Sequence, residues 1–271
     1  MNDAAIGVFD SGIGGLTVVA AIHQVLPRES TIYLGDTARV PYGPKSPSTV
    51  VRYSQEILDW LVAQRVKAVV VACNTATAHA LESLMATSPV PIIGVVEPGA
   101  RAAVAVSEGG RIGVIGTSGT IASGAYRRAI ESLANDVEVF EQACPLFVPL
   151  VEEGWVDHPA ARLIAAEYLQ PMLDAGIDTL VLGCTHYPLL KPLLAEVLGE
   201  RVRLIDSAQE TARQLATVLW DRGLESSSES VTRRWAATDD VARFAALGGR
   251  FTGGTLAGVE LVDLGATHAV N

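Results

Sequence analysis

Cys73 and Cys184 carry the chemistry most visible in this chain. Each closes a run of apolar or small residues and precedes a short polar one, in Val69-Val-Val-Ala-Cys-Asn-Thr75 and Thr179-Leu-Val-Leu-Gly-Cys-Thr185. Such runs read as buried strands of a parallel sheet, so each cysteine falls at a carboxyl end where a helix begins, the edge at which open parallel sheets bind ligands. The free N–H groups and partial positive charge of a helix start favour thiolate over thiol. Either thiol alone could be a small core residue, since free cysteine is among the most buried types. Two in equivalent settings point to a shared task, whereas Cys144, in Gln142-Ala-Cys-Pro-Leu146, has no counterpart and is assigned to the core.

Two thiols on opposite sides of a small molecule can invert a stereocentre. One removes a proton from a tetrahedral carbon, the planar carbanion is reprotonated from the other side, and exchanging the roles processes the mirror image. The α-proton of an amino acid is far less acidic than a thiol, and each unit of that gap costs roughly 1.4 kcal/mol. Help must come from thiolate formation at a helix end, from neighbouring acid or base groups, and from donors around the substrate carboxylate. Asp10, in Phe9-Asp-Ser-Gly-Ile-Gly-Gly15, ends the first strand; it can assist Cys73, bind an ammonium group, or cap the next helix. His186, in Gly183-Cys-Thr-His-Tyr-Pro188, shares the Cys184 loop and either supports proton transfer or caps a helix. Ser11, Asn74, Thr75, Thr185 and the loop Gly116-Thr-Ser-Gly-Thr120 add donors, and Tyr42 and Gly43, in a loop rich in turn formers, can close over a ligand.

Positioning these residues requires alternating strands and helices. Strands are expected at 5–9, 31–35, 68–72, 92–96, 112–115, 137–141, 179–182 and 203–205, and helices at 16–26, 48–64, 75–85, 98–106, 119–133, 160–175, 189–198 and 208–222. This is an α/β chain with a mainly parallel sheet arrangement, followed by a loop at 225–230 and a strand, short helix and strand. Ile6-Gly-Val-Phe-Asp-Ser-Gly12 resembles Ile112-Gly-Val-Ile-Gly-Thr-Ser118 at nearly the offset that separates the two cysteine segments, which implies two similar, facing domains.

The bulk properties exclude several classes. A chain of 271 residues with 49% hydrophobic and 18% charged residues is long and apolar enough for one or two globular cores. A net charge of −10 disfavours direct binding to nucleic acid or an acidic membrane surface. No leader or membrane-length apolar run is visible, so a soluble, cytoplasmic protein is expected. Three dispersed cysteines build neither a disulfide framework nor a zinc knuckle, and His23, His79, His158, His186 and His268 show no metal-ligand spacing. The Gly12–Gly15 loop is not a nucleotide-binding fingerprint, and Lys45, Lys67 and Lys191 lack a setting for pyridoxal phosphate.

Together the segments 9–15, 36–43 (Asp-Thr-Ala-Arg-Val-Pro-Tyr-Gly), 72–76 (Ala-Cys-Asn-Thr-Ala), 145–152 (Pro-Leu-Phe-Val-Pro-Leu-Val-Glu) and 183–188 resemble the glutamate racemases of the aspartate/glutamate racemase superfamily. The resemblance implies two flavodoxin-like domains related by a pseudo-twofold axis, with the active site in the cleft between them, no cofactor, and interconversion of L- and D-glutamate for peptidoglycan. The corresponding division is 1–97 plus 207–271 for the N-terminal domain and 98–206 for the second. Carried over by motif, Cys73 and Cys184 are the catalytic pair, with Asp10 and His186 as assistants. Ser11, Tyr42, Gly43, Asn74, Thr75, Thr185 and Glu152 join Asp10 and His186 around the substrate. A homodimer is expected, and some members also bind DNA gyrase. Competing expectations are an aspartate or hydantoin racemase of the same superfamily, a cysteine hydrolase, and a non-enzymatic ligand sensor.

Overall fold

The computed structural model describes residues 2–265. Among these residues ten strands form two sheets. Strands β1 (Ile6–Asp10), β2 (Thr31–Gly35), β3 (Ala68–Val71) and β4 (Ile92–Gly94) belong to the first, and β5 (Arg111–Gly116), β6 (Glu138–Ala143), β7 (Thr179–Gly183) and β8 (Arg203–Asp206) to the second. The tail adds β9 (Arg233–Ala237) and β10 (Glu260–Leu261) to the edge of the first sheet, giving the orders β10-β9-β2-β1-β3-β4 and β6-β5-β7-β8. Every pairing is parallel. Parallel neighbours need crossover connections, so helices cover the sheet faces and the central strands are buried along their whole length, as β1, β3 and β7 are.

The first four strands of each sheet follow the same order, so β3 and β7 hold equivalent places and the internal repeat is visible as topology. In that order the chain reverses direction across the sheet between β1 and β3, and between β5 and β7, where a crevice opens beyond the strand ends. The register sets Phe9 beside Val71 and Gly116 beside Gly183. Asp10 therefore emerges next to the Cys73 loop, and Thr117 next to Cys184. One continuous apolar core runs from Val19 and Ile22 of the helix Leu16–Val25, through Leu215 of the helix Ala208–Asp221, to Phe147 and Tyr187 on the far side.

Four expectations needed correction. The helix anticipated at 119–133 is two, Ser118–Ala122 and Ala125–Leu133, separated at Gly124, whose φ of 62° lies in the left-handed region. The strand expected at 92–96 stops at Gly94, and a helix starts at Val96. A 3-10 turn at Tyr187–Leu190 precedes the helix Lys191–Leu198, with prolines at 188 and 192 in their first turns. A short helix, Phe147–Glu152, lies in a stretch for which no element was expected.

Candidate active site

Cys73 caps the helix Asn74–Thr87, its Sγ accepting from the Ala76 N–H at 3.4 Å. Cys184 follows β7, and its sulfur accepts from the His186 N–H. The cysteines are 5% and 7% exposed. The negative charge of Asp10 acts on both sulfurs, and that of Cys73 on Cys184, so the two halves of the repeat contribute one thiol each within electrostatic reach of the other.

Burial outweighs the helix starts. It pushes the Cys73 thiol up to about 12 against hydrogen bonds from Ala76 and Ser11, with Asp10 adding to the rise, and it raises Cys184 in the same direction. The helix starts were expected to favour thiolate; burial works against them and favours the neutral thiol at both cysteines. Asp10 is raised as well, by burial, against the opposing pull of His186 and the amides of residues 11, 12 and 15. Its Oδ2 accepts from the Gly12 N–H at 3.2 Å, while Oδ1 is buried without a partner. The cap position of the helix Leu16–Val25 is Gly15, whose N–H donates to Asp10, so Asp10 sits against the helix start without occupying its cap position.

The His186 side chain does not cap either. Its Nε2 meets Glu152 Oε1 at 3.1 Å, and Nδ1 is buried without a partner. Phe251 packs edge-on against the ring, centroids 5.4 Å apart. The hydrogen bond from His186 holds Glu152 below the usual carboxylate range, with Arg243 contributing. Asp10 thus acts electrostatically on both sulfurs, and the His186–Glu152 pair belongs to the loop that carries Cys184.

The other candidate residues adjoin these groups. Ser11 hydrogen-bonds Cys73, and Thr185 hydrogen-bonds Cys184. The Thr75 hydroxyl lies 2.9 Å from that of Thr117 and 3.1 Å from that of Thr120, joining the two units through three hydroxyls. Gly43 sits against Thr117, where a Cβ would come within 2.8 Å, and its carbonyl accepts from the Gly119 N–H at 2.9 Å. The Tyr42 hydroxyl is committed to Asp36, so what Tyr42 and Gly43 can offer a ligand is backbone: neither N–H donates to another group among the described residues.

Thr117, Thr120 and Tyr126, which meet Thr75 and Asn74, were not singled out individually from the sequence. The repeat held the signal, because Thr117 occupies in Ile112–Ser118 the place next to that of Asp10 in Ile6–Gly12. A cavity of about 200 Å³, lined by Gly12, Val40, Glu152, Arg243 and Phe244 among others, reaches Glu152, the partner of His186. Among the described residues, no group of three or more His, Cys, Asp or Glu side chains is arranged to hold a metal, and no helix is long and apolar enough to cross a membrane.

The sequence profile of the Asp/Glu/Hydantoin racemase family matches residues 6–215. The chain belongs to this family. A glutamate racemase of Geobacter metallireducens is 56% identical over 265 residues, covering 97% of each chain. Among solved structures, a glutamate racemase isoform of Bacillus anthracis superposes with a TM-score of 0.94 at 42% identity, covering 97% of this chain and 99% of its own. The glutamate racemase of Francisella tularensis in complex with D-glutamate gives 0.92 at 37% identity, covering 98% and 100%. The fold is accordingly the family's pair of flavodoxin-like α/β units with mainly parallel sheets.

Proposed function

We propose that this racemase interconverts L- and D-glutamate, with Cys73 and Cys184 exchanging protons with opposite faces of the α-carbon. The observation that carries the reading is the placement of two buried thiols at equivalent strand ends, close enough for the charge of one to act on the other. Because burial favours the neutral thiol at both cysteines, turnover starts when one gives up its proton. Asp10 takes it from Cys73, or His186 takes it from Cys184, and the arriving α-ammonium group favours the thiolate that results. That thiolate removes the α-proton, and the opposite thiol returns one to the other face. The assistant groups then restore the starting protonation, so no net proton is consumed.

The α-carboxylate is held by Asn74, Thr75 and Thr185 at the two helix starts, and the side-chain carboxylate by the Tyr42 and Gly43 amides. A second carboxylate met by its own amides is what suits the pocket to glutamate. Residues 1–97 with 207–271 form one domain and 98–206 the other, residues 1 and 266–271 lying outside the described residues; the division is supported by β9 and β10 joining the first sheet and by Lys67 of that unit bonding the Leu224 carbonyl at 2.7 Å. The working setting is a cytoplasmic homodimer that supplies D-glutamate for peptidoglycan without a cofactor. DNA gyrase is a candidate second partner, to be sought with purified proteins, and direct DNA binding is not expected from a charge of −10.

In deuterated water, either enantiomer of glutamate should gain deuterium at the α-carbon as it inverts, with no addition to the protein. Inverted product that keeps its original hydrogen would sink the two-base reading. Faster turnover of aspartate than of glutamate would move the chain to the aspartate racemases.

A further inference from the structure

Asn74 directly follows Cys73, is 4% exposed, and accepts a hydrogen bond on Oδ1 from the Tyr126 hydroxyl at 2.7 Å. Tyr126 comes from the other half of the molecule, on the helix Ala125–Leu133, and is 1% exposed. Its ring passes over Gly183, where a Cβ would come within 3.0 Å of Cε2. Its hydroxyl sits by Gly99, where a Cβ would lie 3.2 Å away, and Ser207 supplies the oxygen's other hydrogen bond. One side chain therefore reaches from the residue before Cys184 to the residue after Cys73. Asn74 Nδ2 donates to no group among the described residues.

The two ends of an asparagine amide have nearly the same shape and opposite chemistry: the oxygen accepts and the nitrogen carries two donors. A substrate carboxylate is bound by the nitrogen end and repelled by the oxygen end. Asn74 could rotate to show either, and only a neighbour of fixed polarity selects between them. With Ser207 bonded to its oxygen, Tyr126 has its own proton left for Asn74, which draws the amide oxygen away from the site.

We propose that Tyr126 is a positioning residue whose hydroxyl fixes the Asn74 amide with its N–H groups toward the substrate carboxylate. The inference rests on the glutamate reading given above and adds a condition to it. Because the contact joins the two halves, the carboxylate site is in order only while they are docked.

The test measures KM, kcat and equilibrium glutamate binding for Tyr126→Phe, Asn74→Ala and the double variant, with thermal melting as a control on folding. Tyr126→Phe keeps the ring and loses the hydroxyl. KM should rise about three- to tenfold for both enantiomers, with binding weakened by the same factor and kcat within about twofold, as for one positioned hydrogen bond. In the Asn74→Ala background, Tyr126→Phe should change KM no further. Ser207→Ala, which leaves Tyr126 intact, should raise KM in the same direction by about twofold and guards against a Tyr126 variant that fails to fold. An unchanged KM in Tyr126→Phe, or an equal loss with and without Asn74, would overturn the proposal. Wild-type protein inert toward glutamate would overturn the glutamate reading and this inference with it, whereas normal wild-type turnover beside an unaffected Tyr126→Phe would overturn this inference alone.

Discussion

Around the two sulfurs, Asp10 and the thiols compete for the same negative charge. A carboxylate beside Cys73 opposes the thiolate as long as it keeps its own charge, and promotes it once it accepts the proton. A raised Asp10 is the better acceptor, and its unpartnered Oδ1 is free for the task. The ultraviolet thiolate band of the substrate-free protein should therefore be absent near neutrality and emerge only as pH climbs toward about 12, the Cys73 value; a full thiolate near neutrality would remove the need for Asp10 as base. On the Cys184 side, Glu152→Gln should slow turnover about 10²-fold by loosening His186. The enantiomers have equal free energy in water, so kcat/KM must stay equal in both directions in any variant. The damage should appear instead as a larger primary deuterium isotope effect on the enantiomer that Cys184 deprotonates, with equal effects on both enantiomers counting against the assignment. Asp10 and His186 were readable as candidates from residue type and loop position. The choice between cap and catalyst at Asp10 and His186 was not, because it depends on Gly12 and Glu152, and Glu152 lies 34 residues from its partner.

The elements hold the site through close approach between the halves. Gly14 is the tightest point: a Cβ there would lie 2.2 Å from Thr185 Oγ1 and 2.4 Å from His186 Nδ1. Gly14→Ala should fold, since it lies in a loop before the helix Leu16–Val25, but it must push the Cys184 loop outward. A displacement of about 1 Å can lower turnover about 10²-fold, and kcat/KM should fall by that order while the melting temperature changes little; near-normal kcat/KM would show that the halves are not tightly docked there in turnover. Strand positions were legible because buried parallel strands write themselves as short Val/Ile runs. The break at Gly124 and the helix Phe147–Glu152 were not: a lone glycine in a helical pattern does not reveal a positive φ, and six residues with a proline carry too little periodicity. Tyr42 was placed at the site by its loop, yet its hydroxyl turns to Asp36, an orientation no spacing encodes.

At the scale of the whole molecule, the tail closes on the first sheet, and His23 reports on that closure. Its Nε2 shares a hydrogen bond with Thr31 Oγ1 at 2.9 Å, and its ring meets Trp235 of β9 edge-on, centroids 6.1 Å apart. Burial, then Arg233, lowers His23 from 6.5 to about 4. The unfolded chain thus takes up this proton first as pH falls, so the contribution of neutral His23 is whole above 6.5 and drains away between 6.5 and about 4. Denaturant unfolding across that window should show a steeper loss for wild type than for His23→Gln, and parallel curves would contradict it. The pairing of the two halves, legible as a repeat, leads back to the central claim of one sulfur on each face of the substrate. The direct measurement uses the two enantiomers of a glutamate analogue bearing a halide on the β-carbon, given to Cys73→Ala and Cys184→Ala separately. When the remaining sulfur takes the α-proton, the carbon–halogen bond breaks and halide leaves, so release requires only one base. Each variant should consume a single enantiomer, and the two variants should choose opposite ones; both consuming the same enantiomer would place the sulfurs on one face and contradict the account.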